Sequence, residues 1–168
     1  MSPRGEAWLL IAATTIAVVG MTIVEPPLPR LMWNASASAP IGLYRIEPGA
    51  KLLRGDMVLA SLPRRIRQLA GQRHYLPVAV PAVKRIAALG GDRVCAARGR
   101  IGINGRMVAR QLARDGAGRA LPRWHGCRTL GQSELFFLND APNSFDGRYF
   151  GMSERSDVIG KASLLWSR

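Results

Sequence analysis

The segment from Ala7 to Val24 reads AWLLIAATTIAVVGMTIV, eighteen residues without a charged side chain. It restricts the fold more than any other feature, because such a run either crosses a bilayer or must be buried on every side. As a helix it spans about 27 Å, close to the roughly 30 Å hydrocarbon core of a membrane. Glu25, Pro26, Pro27 and Pro29 follow and predict a sharp stop, since proline cannot continue the amide ladder of a helix. An uncleaved anchor, a cleaved signal segment and a buried helix all fit. No small-x-small cleavage site follows the run directly, which favours the anchor, although the small residues from Ala35 to Ala39 leave cleavage open. Arg4 and the terminal amine slightly outweigh Glu6, which keeps the N-terminus cytoplasmic. The expected organisation is a cytoplasmic N-terminus over 1–6, a transmembrane anchor over 7–24, a juxtamembrane link over 25–33 and a β-domain over 34–168. In the link, Leu31, Met32 and Trp33 suit a lipid interface, and Trp33 suits a core equally well.

Past the link the pattern is β. Ile41 to Ile46 and Asp56 to Ser61 read as strands separated by the turn Glu47-Pro48-Gly49. Between Leu62 and Tyr75 the apolar residues fall at helical spacing among arginines, with Ser61 as a cap and Pro63 in the first turn. Val78 to Leu89 is a strand interrupted by Pro81, which marks an edge or a bulge. Asp92 to Ala97 follows a Gly-Gly turn. Asn104-Gly105 predicts a hairpin within Ile101 to Val108. Arg110 to Leu130 reads as a basic loop, and Glu134 to Leu138 and Asp157 to Trp166 as the last strands. The expected fold class is mainly β: a single domain of short antiparallel strands with one short helix.

The 168 residues suit one domain with an appendage, and the net charge of +13 calls for an anionic partner. The arginines are scattered through apolar segments with no nucleic-acid-binding motif beside them, so no nucleic acid is expected. Anionic inner-membrane lipids fit better. Cys95, Cys127, His74 and His125 match no standard ligand spacing, so neither a metal nor any other cofactor is expected.

Three stretches, in order, carry a resemblance. The first is Asn34-Ala-Ser36-Ala-Ser38-Ala-Pro40-Ile-Gly42-Leu-Tyr44, which taken alone also reads as a Ser/Ala-rich linker. If extended, it places Ser36 and Ser38 on one side. The second is Val83-Lys84-Arg85-Ile86, running on to Gly90-Gly91-Asp92-Arg93-Val94. The third is Asn139-Asp140-Ala-Pro-Asn143-Ser144-Phe-Asp146-Gly-Arg148-Tyr149-Phe150-Gly151. Together, behind an apolar N-terminus, they resemble the signal peptidase I family of serine proteases, and within it the conjugative-transfer peptidases of TraF type. The resemblance implies a nucleophile at Ser38 and a general base at Lys84. It implies an oxyanion hole from Ser36 and the Ser38 amide, with Ser144, Asp146 and Arg148 in support. For Asp146 and Arg148 a structural ion pair is the better description, with a more direct role for the aspartate left open. Ala39 where housekeeping enzymes commonly have methionine, and Pro40 two residues after Ser38, point to the TraF branch. The implied partners are a precursor peptide or pilin and other conjugation proteins. The implied location is the inner membrane, with the domain in the periplasm. In that oxidising compartment Cys95 and Cys127 pair as a disulfide. The alternatives are a housekeeping signal peptidase and an inactive scaffold of a conjugation apparatus.

The residues themselves fit Ser–Lys chemistry. A serine hydroxyl needs a base, and a lysine serves only if its pKa falls by roughly 3 units toward neutrality. Lys84 stands between Ala82-Val83 and Ile86-Ala87-Ala88, and on a strand it faces away from Arg85. The other lysines are Lys51 and Lys161, in a chain that otherwise uses arginine, which cannot give up its proton. A lysine snorkelling at a sheet edge is the bland alternative.

Overall fold

The computed structural model describes residues 3–24 and 28–167, with side chains in the N-terminal helix described from 5 to 21. The readings on Arg4 and on the helix stop at Glu25, Pro26 and Pro27 lie outside these. Helix α1 (Pro3–Val24) covers the apolar run. Trp8, Leu9, Leu10 and Ile16 on it are all exposed, which excludes the buried-helix reading for the described part. Among the described residues no helix is long and apolar enough to cross a membrane.

The strands are β1 (Leu31–Asn34), β2 (Gly42–Glu47), β3 (Met57–Ala60), β4 (Ala82–Leu89), β5 (Arg93–Ala97), β6 (Arg100–Ile103), β7 (Arg106–Arg110), β8 (Gly126–Thr129), β9 (Glu134–Phe137), β10 (Ser153–Glu154) and β11 (Val158–Ser167). They form two antiparallel sheets, ordered β1-β2-β11-β3-β4-β9-β10 and β7-β6-β5-β8. The fold is mainly β, as expected, with two sheets and two short helices in the domain, α2 (Arg64–Gln72) and α3 (Gly147–Phe150).

Strand β9 is buried at all four positions and serves both sheets. Phe136 enters a core with Val94, Ala96, Ile101 and Leu130 of the smaller sheet. Phe137 points the other way, into Val58, Ala60, Ile86 and Leu135. Each phenylalanine contributes about 2–3 kcal/mol of burial. The Asn104-Gly105 turn between β6 and β7 has φ of 50° and 82°, as a type I′ hairpin requires.

Four expectations are corrected. The end of the link is strand β1, paired with β2, and Trp33 lies in neither core, being 44% exposed with its ring 5.7 Å from that of Trp166. Ser61 does not cap α2; its amide is held by the Asp157 carbonyl at 2.8 Å, and Pro63 takes the cap position. The strand expected from Val78 begins at Ala82, because the chain turns through a Val80-to-Pro77 hydrogen bond first. The expected loop from Arg110 to Leu130 contains β8, which pairs with β5 and brings Cys95 opposite Cys127, where they form the disulfide.

Candidate active site

Ser36 and Ser38 sit in the loop closing the β1–β2 hairpin, where Asn34 pairs with Gly42. Gly42 is required there, since a Cβ would lie 2.0 Å from the Trp166 carbonyl oxygen of β11. The loop is a turn, with the Ala39 amide bonded to the Ser36 carbonyl at 3.4 Å, not the extended segment expected. The two hydroxyls still meet, Oγ to Oγ at 3.0 Å, and the Ser38 amide donates to Ser36 Oγ at 3.4 Å. Buried Asn34 staples the loop from within. Its Nδ2 donates to the carbonyls of Ser36, Ala39 and Pro40, and its Oδ1 accepts from the Ser36 amide. The Tyr44 hydroxyl adds a bond to the Pro40 carbonyl at 2.9 Å.

Lys84 lies on β4 opposite Val58 of β3. Alternation sends it inward, to 4% exposure, while Arg85 turns outward to an ion pair with Asp140 at 2.6 Å. Its amine donates to the Phe145 carbonyl at 2.8 Å and is not hydrogen-bonded to Ser38 among the described residues. Burial pushes its pKa from 10.5 down to about 8; nearby Asp146 opposes that fall and Arg148 adds to it. The other lysines differ. Lys161 pairs with Asp56 at 2.9 Å, and Lys51 is exposed.

Ser36, Ser38, Lys84 and Ser144 line one cavity of about 630 Å³. A second, of about 440 Å³, lies beyond Ser38 and is bordered by Ala39, Pro40, Met57, Arg85 and Asp140. Ser38 therefore stands between two spaces, the arrangement a group attacking the middle of an extended chain needs.

Asp146 and Arg148 form a buried ion pair, Nε to Oδ1 at 2.8 Å. Arg148 also donates to the carbonyls of Pro142 and Asn139 at 2.7 Å each. Asp146 caps α3 through the Arg148 amide and accepts from the Asn139 amide at 3.0 Å. These bonds all fall within the segment from 139 to 148 and brace it on itself. Ser144 is buried, and among the described residues its hydroxyl has no hydrogen-bond partner, Lys84 included.

Two residues given no role from sequence prove central. Asn34 is one. The other is Asn139, whose Nδ2 donates to the carbonyls of Ser38 at 2.9 Å and Val83 at 3.3 Å, and whose Oδ1 accepts from the Arg85 amide at 2.7 Å. It ties the serine loop to the backbone on both sides of Lys84. Both asparagines open stretches of chemical interest, and that position is the one signal the sequence offered. His74 and His125 are exposed and border neither cavity. Among the described residues no cluster could hold a metal ion.

The hairpin serine loop thus lies beside a strand that carries a buried lysine. The family model described as "Signal peptidase, peptidase S26" matches residues 5–167, and the chain belongs to that family. A plasmid transfer protein TraF of Escherichia coli is 33% identical over 136 residues, covering 74% of this chain and 76% of that protein. A conjugal transfer protein TraF of Agrobacterium fabrum is 32% identical over 144 residues, covering 80% and 81%. A signal peptidase I structure from Enterococcus faecalis aligns with a TM-score of 0.42 and 20% identity, covering 68% of this chain and 98% of that one.

Proposed function

We propose that the protein is a membrane-anchored serine endopeptidase working through a Ser38–Lys84 dyad. The observation that carries this reading is the serine pair opening onto the same cavity as a buried lysine with a lowered pKa. Ser38 Oγ attacks the substrate carbonyl carbon as Lys84 Nζ takes its proton. The tetrahedral oxyanion is held by the Ser38 amide and the Ser36 hydroxyl, which turn from each other toward the substrate. Collapse breaks the C–N bond, and the protonated lysine supplies the leaving amine with its proton. Water, or a substrate amine, then attacks the acyl carbon as Lys84 takes its proton; collapse breaks the acyl C–Oγ bond, and the lysine returns the proton to Ser38 Oγ. Ser144, buried beside the lysine with a free hydroxyl, supports the amine once it leaves the Phe145 carbonyl. The Asp146–Arg148 pair acts structurally.

Relatives that are plasmid and conjugal transfer proteins support a place in conjugative transfer; on this reading the substrate is an exported precursor, a pilin above all. The anchor reading is supported by the exposed apolar side chains of α1 and by Thr14 and Thr15. Their hydroxyls bond back to the Leu10 and Ile11 carbonyls at 2.8 Å, so both donors are satisfied within the helix. The apolar run continues to Val24, past the described side chains. Leu31, Trp33, Leu165 and Trp166 are exposed, with the Trp33 and Trp166 rings 5.7 Å apart, and suit a headgroup layer. On this reading the domain faces the periplasm, where the Cys95–Cys127 disulfide is stable.

An active-serine probe and a candidate pilin test the proposal. Labelling should vanish in Ser38→Ala and in Lys84→Ala, and a co-expressed pilin should change mass only with the wild type. Labelling that survives Ser38→Ala, or that Lys84→Ala leaves untouched, refutes the dyad and leaves the scaffold reading.

A further inference from the structure

The cavity that holds Lys84 has a roof that the dyad does not account for. Residues 113–121 form a small hairpin: Arg114 bridges Ala120, the Leu121 amide bonds the Ala113 carbonyl at 3.0 Å, and the Asp115 amide bonds the Arg119 carbonyl at 2.9 Å. Asp115, Gly116 and Leu121 line the cavity from this hairpin, and Tyr75 lines it from the segment after α2. The two are latched together. The Tyr75 hydroxyl donates to Asp115 Oδ2, and Arg119 Nε donates to the same oxygen at 2.7 Å. Asp115 Oδ1 accepts from the amides of Ala117 and Arg119 at 3.0 and 2.8 Å. Arg119 also lies over the Tyr75 ring at 5.4 Å and reaches the Arg73 carbonyl at 3.2 Å.

The latch leads to the lysine. The Tyr75 ring packs on Phe145 at 5.2 Å, Phe145 stacks on Tyr149 at 5.9 Å, and the Phe145 carbonyl accepts the Lys84 amine. A surface ion pair has little value for stability alone. Four hydrogen bonds converging on one carboxylate, joining segments about forty residues apart, mark an element that holds something in place.

We propose that Tyr75, Asp115 and Arg119 are positioning residues: they latch the 113–121 hairpin as a roof that keeps bulk water from the Lys84 amine. The proposal rests on the dyad reading, because only a lysine used as a base has to be kept dry. The ionisable groups about the amine are Asp146, Arg148 and Tyr149 on one wall, and Tyr75, Asp115 and Arg119 on the roof. Strand β3, the 35–41 loop and residues 76–82 contribute none, α2 reaches the cavity through Ala70, and Arg85 faces away. The Tyr75 hydroxyl, with the other bonds, holds the Asp115 carboxyl well below the usual carboxylate range, so the latch stays closed at any pH at which the lysine titrates.

The test needs no substrate. The chain has three lysines, so ε-carbon-labelled lysine in the full-length protein in detergent gives three NMR signals, and Lys84→Met identifies the one of interest. Its midpoint should lie near 8 in the wild type and rise by about half to one unit in Tyr75→Phe and in Asp115→Asn, as water returns to the amine. The Asp115 variant separates roof from charge, since removing a negative charge alone would move the midpoint down. Ser38 labelling at pH 7 should slow about threefold to tenfold in both variants and match the wild type above the new midpoint. An unmoved midpoint in Tyr75→Phe, a downward shift in Asp115→Asn, or faster labelling at every pH overturns the roof. Absence of labelling in the wild type, with the midpoints moved as stated, would instead count against the dyad alone.

Discussion

Removal of the Asn139 side chain probes how the serine loop is held against the lysine strand. Asn139 is 3% exposed and makes three side-chain hydrogen bonds to backbone, to Ser38, Val83 and Arg85. A net hydrogen bond is worth about 1 kcal/mol, and a buried group left unpaired costs about 1–3 kcal/mol. The bond to the Val83 carbonyl is buried, whereas those to the Ser38 carbonyl and the Arg85 amide are partly open to the cavities. Asn139→Ala should therefore destabilise the domain by about 3 kcal/mol, a large share of the roughly 5–15 kcal/mol typical of a domain, which still leaves it folded. Asn139→Asp is nearly the same shape and keeps the acceptor for Arg85, but it sets a carboxylate against two carbonyls. It should lose at least as much as the alanine variant. Urea unfolding gives the stability, and the rate of Ser38 labelling gives the effect on the site, expected to fall at least about tenfold because a 1 Å displacement suffices for that. If both variants unfold within about 0.5 kcal/mol of wild type, as a neutral surface change would, and label normally, the tie is incidental and the reasoning fails.

Labelling of Ser38 should rise tenfold per pH unit below about 8 and level off above it, following the neutral fraction of Lys84; a midpoint near 6.5 would indicate histidine instead. Because the folded value of Lys84 lies below 10.5, the folded chain binds fewer protons than the unfolded chain between the two values. Stability should thus increase with pH from about 8 to 10.5. Below 8 the penalty stays at about 3 kcal/mol at 1.36 kcal/mol per unit, so Lys84→Met should stabilise the protein at pH 7, and a clear loss in urea midpoint would contradict the buried amine. Asp146→Asn breaks a buried ion pair and should cost about 3–5 kcal/mol, seen in the same unfolding curves. Reduction of Cys95–Cys127, which closes a separation of 32 residues, should cost about 3–4 kcal/mol, measured with and without reductant.

Strong local chemistry made parts of this fold readable. Asn104-Gly105 announced its hairpin because few dipeptides accept two positive φ values. The opposite facings of Lys84 and Arg85 followed from strand alternation. Ser36 and Ser38 came together for a different reason than expected: a stapled turn, not an extended strand. Strand β1 was missed because Leu-Met-Trp-Asn carries no alternation, and its pairing partner β2 alone defines it. Strand β8, Gly-Cys-Arg-Thr, is exposed throughout and exists through its register with β5. The 113–121 hairpin is organised by Tyr75, about forty positions away, a contact that no window of sequence contains. Asn34 and Asn139 were invisible as ties because their partners are backbone atoms, which every residue has.

Strand β9 has a consequence for how damage spreads. Neighbouring phenylalanines on one four-residue segment plug the interiors of both layers, so neither layer can melt while the other stays intact. A lesion far out in the small disulfide-bearing layer would thus reach the Lys84 strand through its shared neighbour. The two halves of the molecule should be lost in one transition, and a protease would find either the whole domain closed or the whole domain open.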